Sequence, residues 1–276
     1  MSCHKRLSSY VYGPFAVLAM ACSLTAQAHV TYTGRDLGSF TGLSGASASI
    51  DNQVIAGNYS WADATDADFA DSHKAKIFRF HLDNEALVTI TAQANPTASS
   101  TAVGGWLPGF SIYSGLAHVS PFPADYEAAA ITRAFLNETF PDGKGGTTKE
   151  GAWNALGDWR IGNDVGKTFA DLTTLVFKGY AVDGSSANFG ATPGIVGDGV
   201  ADGRVGATFR LVAGDYSLFV GGADYAAQLP SHPDVSAPYG MSVSVNVAAI
   251  PEPSTVVLTL MGIAVVASGV RRRASA

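Results

Sequence analysis

Lys76-Ile77-Phe78-Arg79-Phe80-His81-Leu82 decides the fold. Phe78, Phe80 and Leu82 fall on one side of an extended chain, with Ile77, Arg79 and His81 on the other. A period of two with one apolar face is the signature of a strand in a half-buried antiparallel sheet. Asp83-Asn84-Glu85 supplies a turn, and Val88-Thr89-Ile90-Thr91-Ala92 alternates again. Towards the C-terminus, Tyr216-Ser217-Leu218-Phe219-Val220 follows a Gly214-Asp215 turn. Met241 to Val247 sets Val243, Val245 and Val247 against Ser242, Ser244 and Asn246. Weaker strands are predicted at Gly109–Tyr113, Leu172–Val182 and Val205–Val212. The pattern predicts an all-β antiparallel sandwich or jelly-roll-like domain. A content of 31 glycines with only 14% charged residues suits turn-rich β structure better than helix.

One helix is expected within this β framework. Ala124 to Phe140 follows Pro121-Phe122-Pro123, carries Asp125 and Glu127 in its first turn, and stops at Pro141-Asp142-Gly143. Ile131, Ala134, Phe135 and Glu138 share one stripe at helical spacing. The helix belongs to an expected insertion at about 114–203, which also holds Gly143-Lys144-Gly145-Gly146-Thr147-Thr148. That segment lacks the G-x-x-x-x-G-K-[ST] order of a phosphate loop.

The two ends carry address signals. Lys5 and Arg6 precede an apolar run from Phe15 to Leu24, and Ala26-Gln27-Ala28 is an A-x-A cleavage site. Residues 1–28 therefore read as a signal peptide for signal peptidase, with His29 as the first mature residue. Cys22 offers a lipoprotein alternative, but Ala19 and Met20 fit poorly upstream of it. At the other end Pro251-Glu252-Pro253 precedes seventeen uncharged residues, 254–270, and then Arg271-Arg272-Arg273. Arginines after an apolar span stay on the cytoplasmic side and leave the preceding chain exported. As a helix the span reaches roughly 26 Å, marginal for a bilayer core of about 30 Å. Transient retention and simple anchoring are both open.

This arrangement resembles the PEP-CTERM sorting signal of Gram-negative bacteria over residues 251–273, within the C-terminal segment 251–276. The resemblance implies handling by a membrane-embedded exosortase and a role at the surface or in the extracellular matrix, alongside exopolysaccharide. Within the exported domain, 29–250, a second resemblance covers Asp71 through Ala94, Pro108–Tyr113 and Gly214–Val220. These segments are similar to strands of bacterial pre-peptidase C-terminal-type domains, small non-catalytic sandwiches that accompany secreted proteins. The roughly ninety residues of 114–203 depart from that pattern.

Composition narrows the chemistry. Both cysteines, Cys3 and Cys22, lie in the leader, which excludes disulfides, thiolate metal sites and a cysteine nucleophile from the mature domain. With Lys5, Arg6 and Arg271–Arg273 set aside from the 17 basic residues, the remaining 12 against 23 acidic residues, Glu252 included, give −11 for the exported part of the chain. Such a domain repels nucleic acid. No H-E-x-x-H and no G-x-S-x-G is present; two of the few mature glutamates could form a glycosidase pair, a mechanism set by a carboxyl separation that sequence does not give.

Two clusters remain as site candidates. Asp63, Asp66, Asp68 and Asp71 crowd hard oxygen ligands into nine residues, a composition able to hold Ca²⁺ though not in EF-hand spacing. A solvated acidic loop is the competing reading. Asp198 and Asp202, in a Gly/Asp-rich turn, form a single copy of a calcium-turn pattern. Trp153, Asn154, Asp158 and Trp159 place aromatic faces beside amide and carboxylate groups, as carbohydrate recognition requires; packing of the insertion is the competing reading. The sequence thus favours a non-enzymatic structural or adhesive protein. A carbohydrate-binding module and a secreted glycan- or peptide-cleaving enzyme are the alternatives.

Overall fold

The computed structural model describes residues 31–42, 45–61, 69–71, 75–117, 140–141, 147–148, 152–161, 173–185, 195–224 and 236–250. The alternating heptapeptide forms one strand over its full length, Lys76–Leu82, with Phe78, Phe80 and Leu82 all buried. In chain order the strands are β1 (Asp36–Phe40), β2 (Ala46–Ala56), β3 (Phe69–Asp71), β4 (Lys76–Leu82), β5 (Ala86–Ala94), β6 (Pro108–Ser114) and β7 (Phe140–Pro141). They continue with β8 (Thr147–Thr148), β9 (Ala152–Asn154), β10 (Trp159–Ile161), β11 (Thr173–Val182), β12 (Arg204–Leu211), β13 (Gly214–Gly222) and β14 (Pro238–Ala249).

A six-stranded sheet runs β1-β4-β13-β6-β11-β10, and a four-stranded sheet runs β12-β5-β14-β2. Their facing sides make the main core. Phe78, Phe80, Leu82, Phe110, Ile112, Tyr216, Leu218 and Val220 from the large sheet meet Val88, Ile90, Ala92, Val243, Val245 and Val247 from the small one. This is sandwich packing, with alternate residues of each strand turned inward. On the outer side of the small sheet the alternation leaves Thr89, Thr208, Ser47 and Asn246 exposed in one cross-strand row.

The large sheet is also covered on its other face. Ile77, Tyr113, Leu175 and Phe219 point away from the main core and pack with Tyr32, Trp61, Ala117 and Ala155 in a second cluster. That explains why β6 and β13 are buried along almost their whole length instead of alternating. Trp61 has a prepared seat. A Cβ on Gly109 would lie 2.6 Å from the indole ring, and one on Gly221 would lie 2.7 Å from the Trp61 backbone nitrogen. Gly109 and Gly221 are cross-strand partners; the first leaves room for the indole and the second for the Ser60–Trp61 main chain.

Several expectations change here. The interval 114–203 contributes β10 and β11 to the large sheet, because Leu175 is fully buried in the second cluster and β11 pairs with β6. Phe140, expected to end a helix, instead pairs with Thr148 across the small β7–β8 ladder. The rest of that helix segment, 124–139, lies outside the described residues, and no α-helix occurs among the residues that are described. Likewise no described helix is long and apolar enough to cross a membrane; 254–270 lies outside them.

Candidate functional site

Of the acidic cluster, Asp63, Asp66 and Asp68 lie outside the described residues, whereas Asp71 ends β3. β3 pairs antiparallel with β9, setting Asp71 opposite Ala152 and Ala70 opposite Trp153. The end of the acidic stretch and the start of the tryptophan cluster are therefore neighbours in one ladder. Trp159 lies in β10, paired with Leu175 at the edge of the large sheet. Asn154 and Asp158 are engaged locally. The Asn154 side-chain oxygen accepts the Leu156 N–H at 3.0 Å, and its carbonyl accepts the Tyr113 hydroxyl. Asp158 accepts the Phe177 N–H at 2.6 Å. These two side chains shape the segment that covers the outer face.

The Asp198–Asp202 turn is also built from capping bonds. Asp198 accepts the N–H groups of Gly184 and Val200 at 3.1 and 3.2 Å, and Asp202 accepts that of Arg204 at 3.0 Å. The buried Asp183, which the sequence reading missed, accepts the N–H groups of Asp202 and Gly203 at 3.1 and 2.7 Å. Burial, reinforced by the charges of Asp198 and Asp202, raises its carboxyl to about 6 despite those two bonds. Among the described residues no group of three or more His, Cys, Asp or Glu side chains could hold a metal ion.

Buried hydroxyls beneath the outer layer form closed chains. The Ala117 N–H donates to the Tyr32 hydroxyl, which lies 2.7 Å from Ser217 Oγ, and Ser217 in turn donates to the Gly115 carbonyl at 2.6 Å. Trp61 Nε1 donates to Ser111 Oγ at 3.0 Å, and Ser111 donates to the Ala155 carbonyl at 2.5 Å. Each serine proton is thus committed to a carbonyl, which stabilises the layer and leaves neither hydroxyl facing a general base.

An open polar cleft of about 300 Å³ is lined by Asp36, Gly38, Ser39, Arg79, Phe80, His81, Leu116 and Asp215. Arg79 and His81 reach it because they occupy the β4 face opposite Phe78 and Phe80. Asp36 Oδ2 accepts from Arg79 Nε at 2.9 Å and Nη2 at 2.6 Å, and the guanidinium lies 5.6 Å from the centre of the Tyr32 ring. His81 sits between two carboxylates, with Nδ1 2.7 Å from Asp215 and Nε2 3.3 Å from Asp83.

The hydrogen bond to Asp215, helped by the charges of Asp215 and Asp83, raises the His81 pKa. A raised folded-state pKa means that the stabilisation is complete below the unfolded value near 6.5 and is lost as pH rises through the folded one. An NMR titration of the His81 ring is expected to give a midpoint above about 6.5 that falls back in Asp215→Asn. A wild-type midpoint at or below 6.5 would show that the carboxylates do not pair with it.

No curated protein matches the chain. Two solved structures are similar over most of the length. CorA, a surface-associated copper-binding protein important in copper acquisition in Methylomicrobium album BG8, is 16% identical, with 77% of this chain and 97% of that chain covered at a TM-score of 0.46. The secreted protein MopE of Methylococcus capsulatus, in which an oxidized tryptophan facilitates copper binding, is 17% identical in its mercury-soaked form; coverage is 78% and 87%, and the TM-score 0.44. Similarity at this level carries no ligand across. Residues 249–273, by contrast, match the PEP-CTERM protein-sorting motif. The chain is accordingly an exported protein carrying a PEP-CTERM signal, processed by an exosortase-type enzyme and anchored in the membrane before that processing.

Proposed function

We propose that this protein is a non-catalytic component of the cell surface or extracellular matrix that associates with exopolysaccharide. The observation that carries the reading is the sorting signal at 249–273, attached to a two-sheet β domain. The closed hydroxyl chains at Ser111 and Ser217 support a structural rather than hydrolytic role, since a serine nucleophile needs a base to take its proton. In this reading 254–270 spans the membrane as a short helix until cleavage releases the domain, with Arg271–Arg273 holding the tail on the cytoplasmic side.

Replacing Pro251, Glu252 and Pro253 together by alanine is expected to leave export intact and block C-terminal processing. Mass spectrometry of the mature chain and cell fractionation, with and without the sorting enzyme, read the result. A wild-type chain that keeps Arg271–Arg273 would make the span an ordinary anchor. Retention on purified exopolysaccharide tests the second half of the proposal; release of soluble fragments from it would favour a glycan-cleaving enzyme instead.

A further inference from the structure

We propose that the cleft between β1, β4 and β13 is a subsite for a neutral glycan, gripping one sugar ring through Asp36, Ser39, Arg79 and Asp215. The proposal rests on the exopolysaccharide reading above and assigns it a place on the molecule.

The cleft is assembled from four separate parts of the chain and depends on an irregularity. β1 lies parallel to β4, and its register shifts between Asp36 and Ser39. Gly38, in the shifted segment, has φ +91°, a left-handed conformation that a side chain would strain, and nothing lies within 4 Å of where its Cβ would be. The bulge turns the edge strand outward and leaves the hollow beside Arg79 and His81.

Charge selects the ligand class. The half-exposed Arg79 and Asp36 already neutralise each other, and His81 is flanked by Asp215 and Asp83. An anionic ligand would have to share the guanidinium with Asp36 and would face the carboxylates of Asp83 and Asp215. A cation would meet the Arg79 guanidinium. A sugar hydroxyl meets neither penalty, because it can accept an N–H while donating to a carboxylate. Capacity remains for both. Arg79 commits its Nε and one Nη2 bond to Asp36, out of five donors, and Asp215 receives His81 on Oδ1.

The groups are also fixed in advance. Arg79 is held between Asp36 and the Tyr32 ring, and the Tyr32 hydroxyl is tied to Ser217 and Ala117. Binding then orders few side chains, which lowers its entropic cost. The volume lies at the low end of the roughly 300–1,000 Å³ usual for ligand sites, so a single ring fits better than a long segment. Affinity for a polymer would come from repeated units engaging many copies of the protein on one matrix.

Affinity electrophoresis of the full-length protein in detergent tests this, with dextran and galactomannan as neutral probes and alginate as the anionic one. At least one neutral polysaccharide is expected to retard the protein and alginate is not. Ser39→Phe, which fills the cleft, and Asp215→Asn, which keeps its shape, are each expected to weaken retardation at least tenfold while still unfolding in a single cooperative urea transition. Retardation by alginate alone, by no probe, or equally in wild type and a folded Asp215→Asn variant would overturn the assignment. If both variants still bind the host's exopolysaccharide as the wild type does, the matrix reading stands and the cleft assignment falls.

Discussion

Phe80→Ala is expected to destabilise the domain by about 3–5 kcal/mol, the range for deleting a buried phenyl ring. Phe80 is 2% exposed and lies on the main-core face of β4. Its ring stacks on that of Tyr216, 5.2 Å between centroids and 14° between planes, and meets the Phe40 ring edge-on at 6.4 Å. Tyr216 is its cross-strand partner, and the Tyr216 hydroxyl donates to the Val212 carbonyl at 2.7 Å, so that ring is not free to swing into the vacated space. Incomplete collapse is what places such substitutions near the upper end of the range. Urea unfolding measures it, with an unchanged slope expected. A loss below about 1 kcal/mol would put this face of β4 in solvent and reverse the strand's orientation.

The strands read most clearly from the sequence are those with one continuous apolar face, β6, β11 and β12 gave weaker signals, and the missed ones fail for a visible reason. β4, β5, β13 and β14 keep one apolar face from end to end. In β2, Ala48 and Ile50 pack on the core before a register shift opposite Met241 and Val243, and Ile55 packs after it. The inward positions thus change from even to odd numbers, and the alternation disappears. β1 has the same defect: Leu37 and Phe40 are both buried, three residues apart, across the bulge at Gly38. Losing β1 hid the cleft. Alternation alone puts Arg79 and His81 on the polar face of β4, but nothing local connects them with Asp36 or Asp215. The sequence reading likewise separated the Asp63–Asp71 stretch from the tryptophan cluster, because the β3–β9 ladder that joins them spans some eighty residues. Asn154 and Asp158 each accept a backbone N–H, an engagement that residue type does not reveal.

Gly240→Ala is expected to cost at least about 3 kcal/mol, the top of the usual range for overpacking. The reason is space. A Cβ on Gly240 would lie 2.0 Å from the Asn95 carbonyl oxygen and 2.9 and 3.0 Å from the Cβ atoms of Ala102 and Ala98. The oxygen belongs to the main chain, so no rotamer change relieves the contact. The loop that leaves β5 is fastened across this residue: the Asn95 N–H donates to the Gly240 carbonyl at 2.8 Å, and the Gly240 N–H donates to the Val103 carbonyl at 3.2 Å. Moving the loop far enough to admit a methyl group breaks both bonds. It also disturbs the chain leading into Trp106, which is fully buried in the main core. Gly45→Ala is the matched control, because nothing lies within 4 Å of its Cβ position; it should shift stability by no more than about 0.5 kcal/mol. Urea midpoints of the two variants decide the matter. Equal midpoints would mean that the 95–103 loop does not pack against β14, and that end of the small sheet would have to be redrawn.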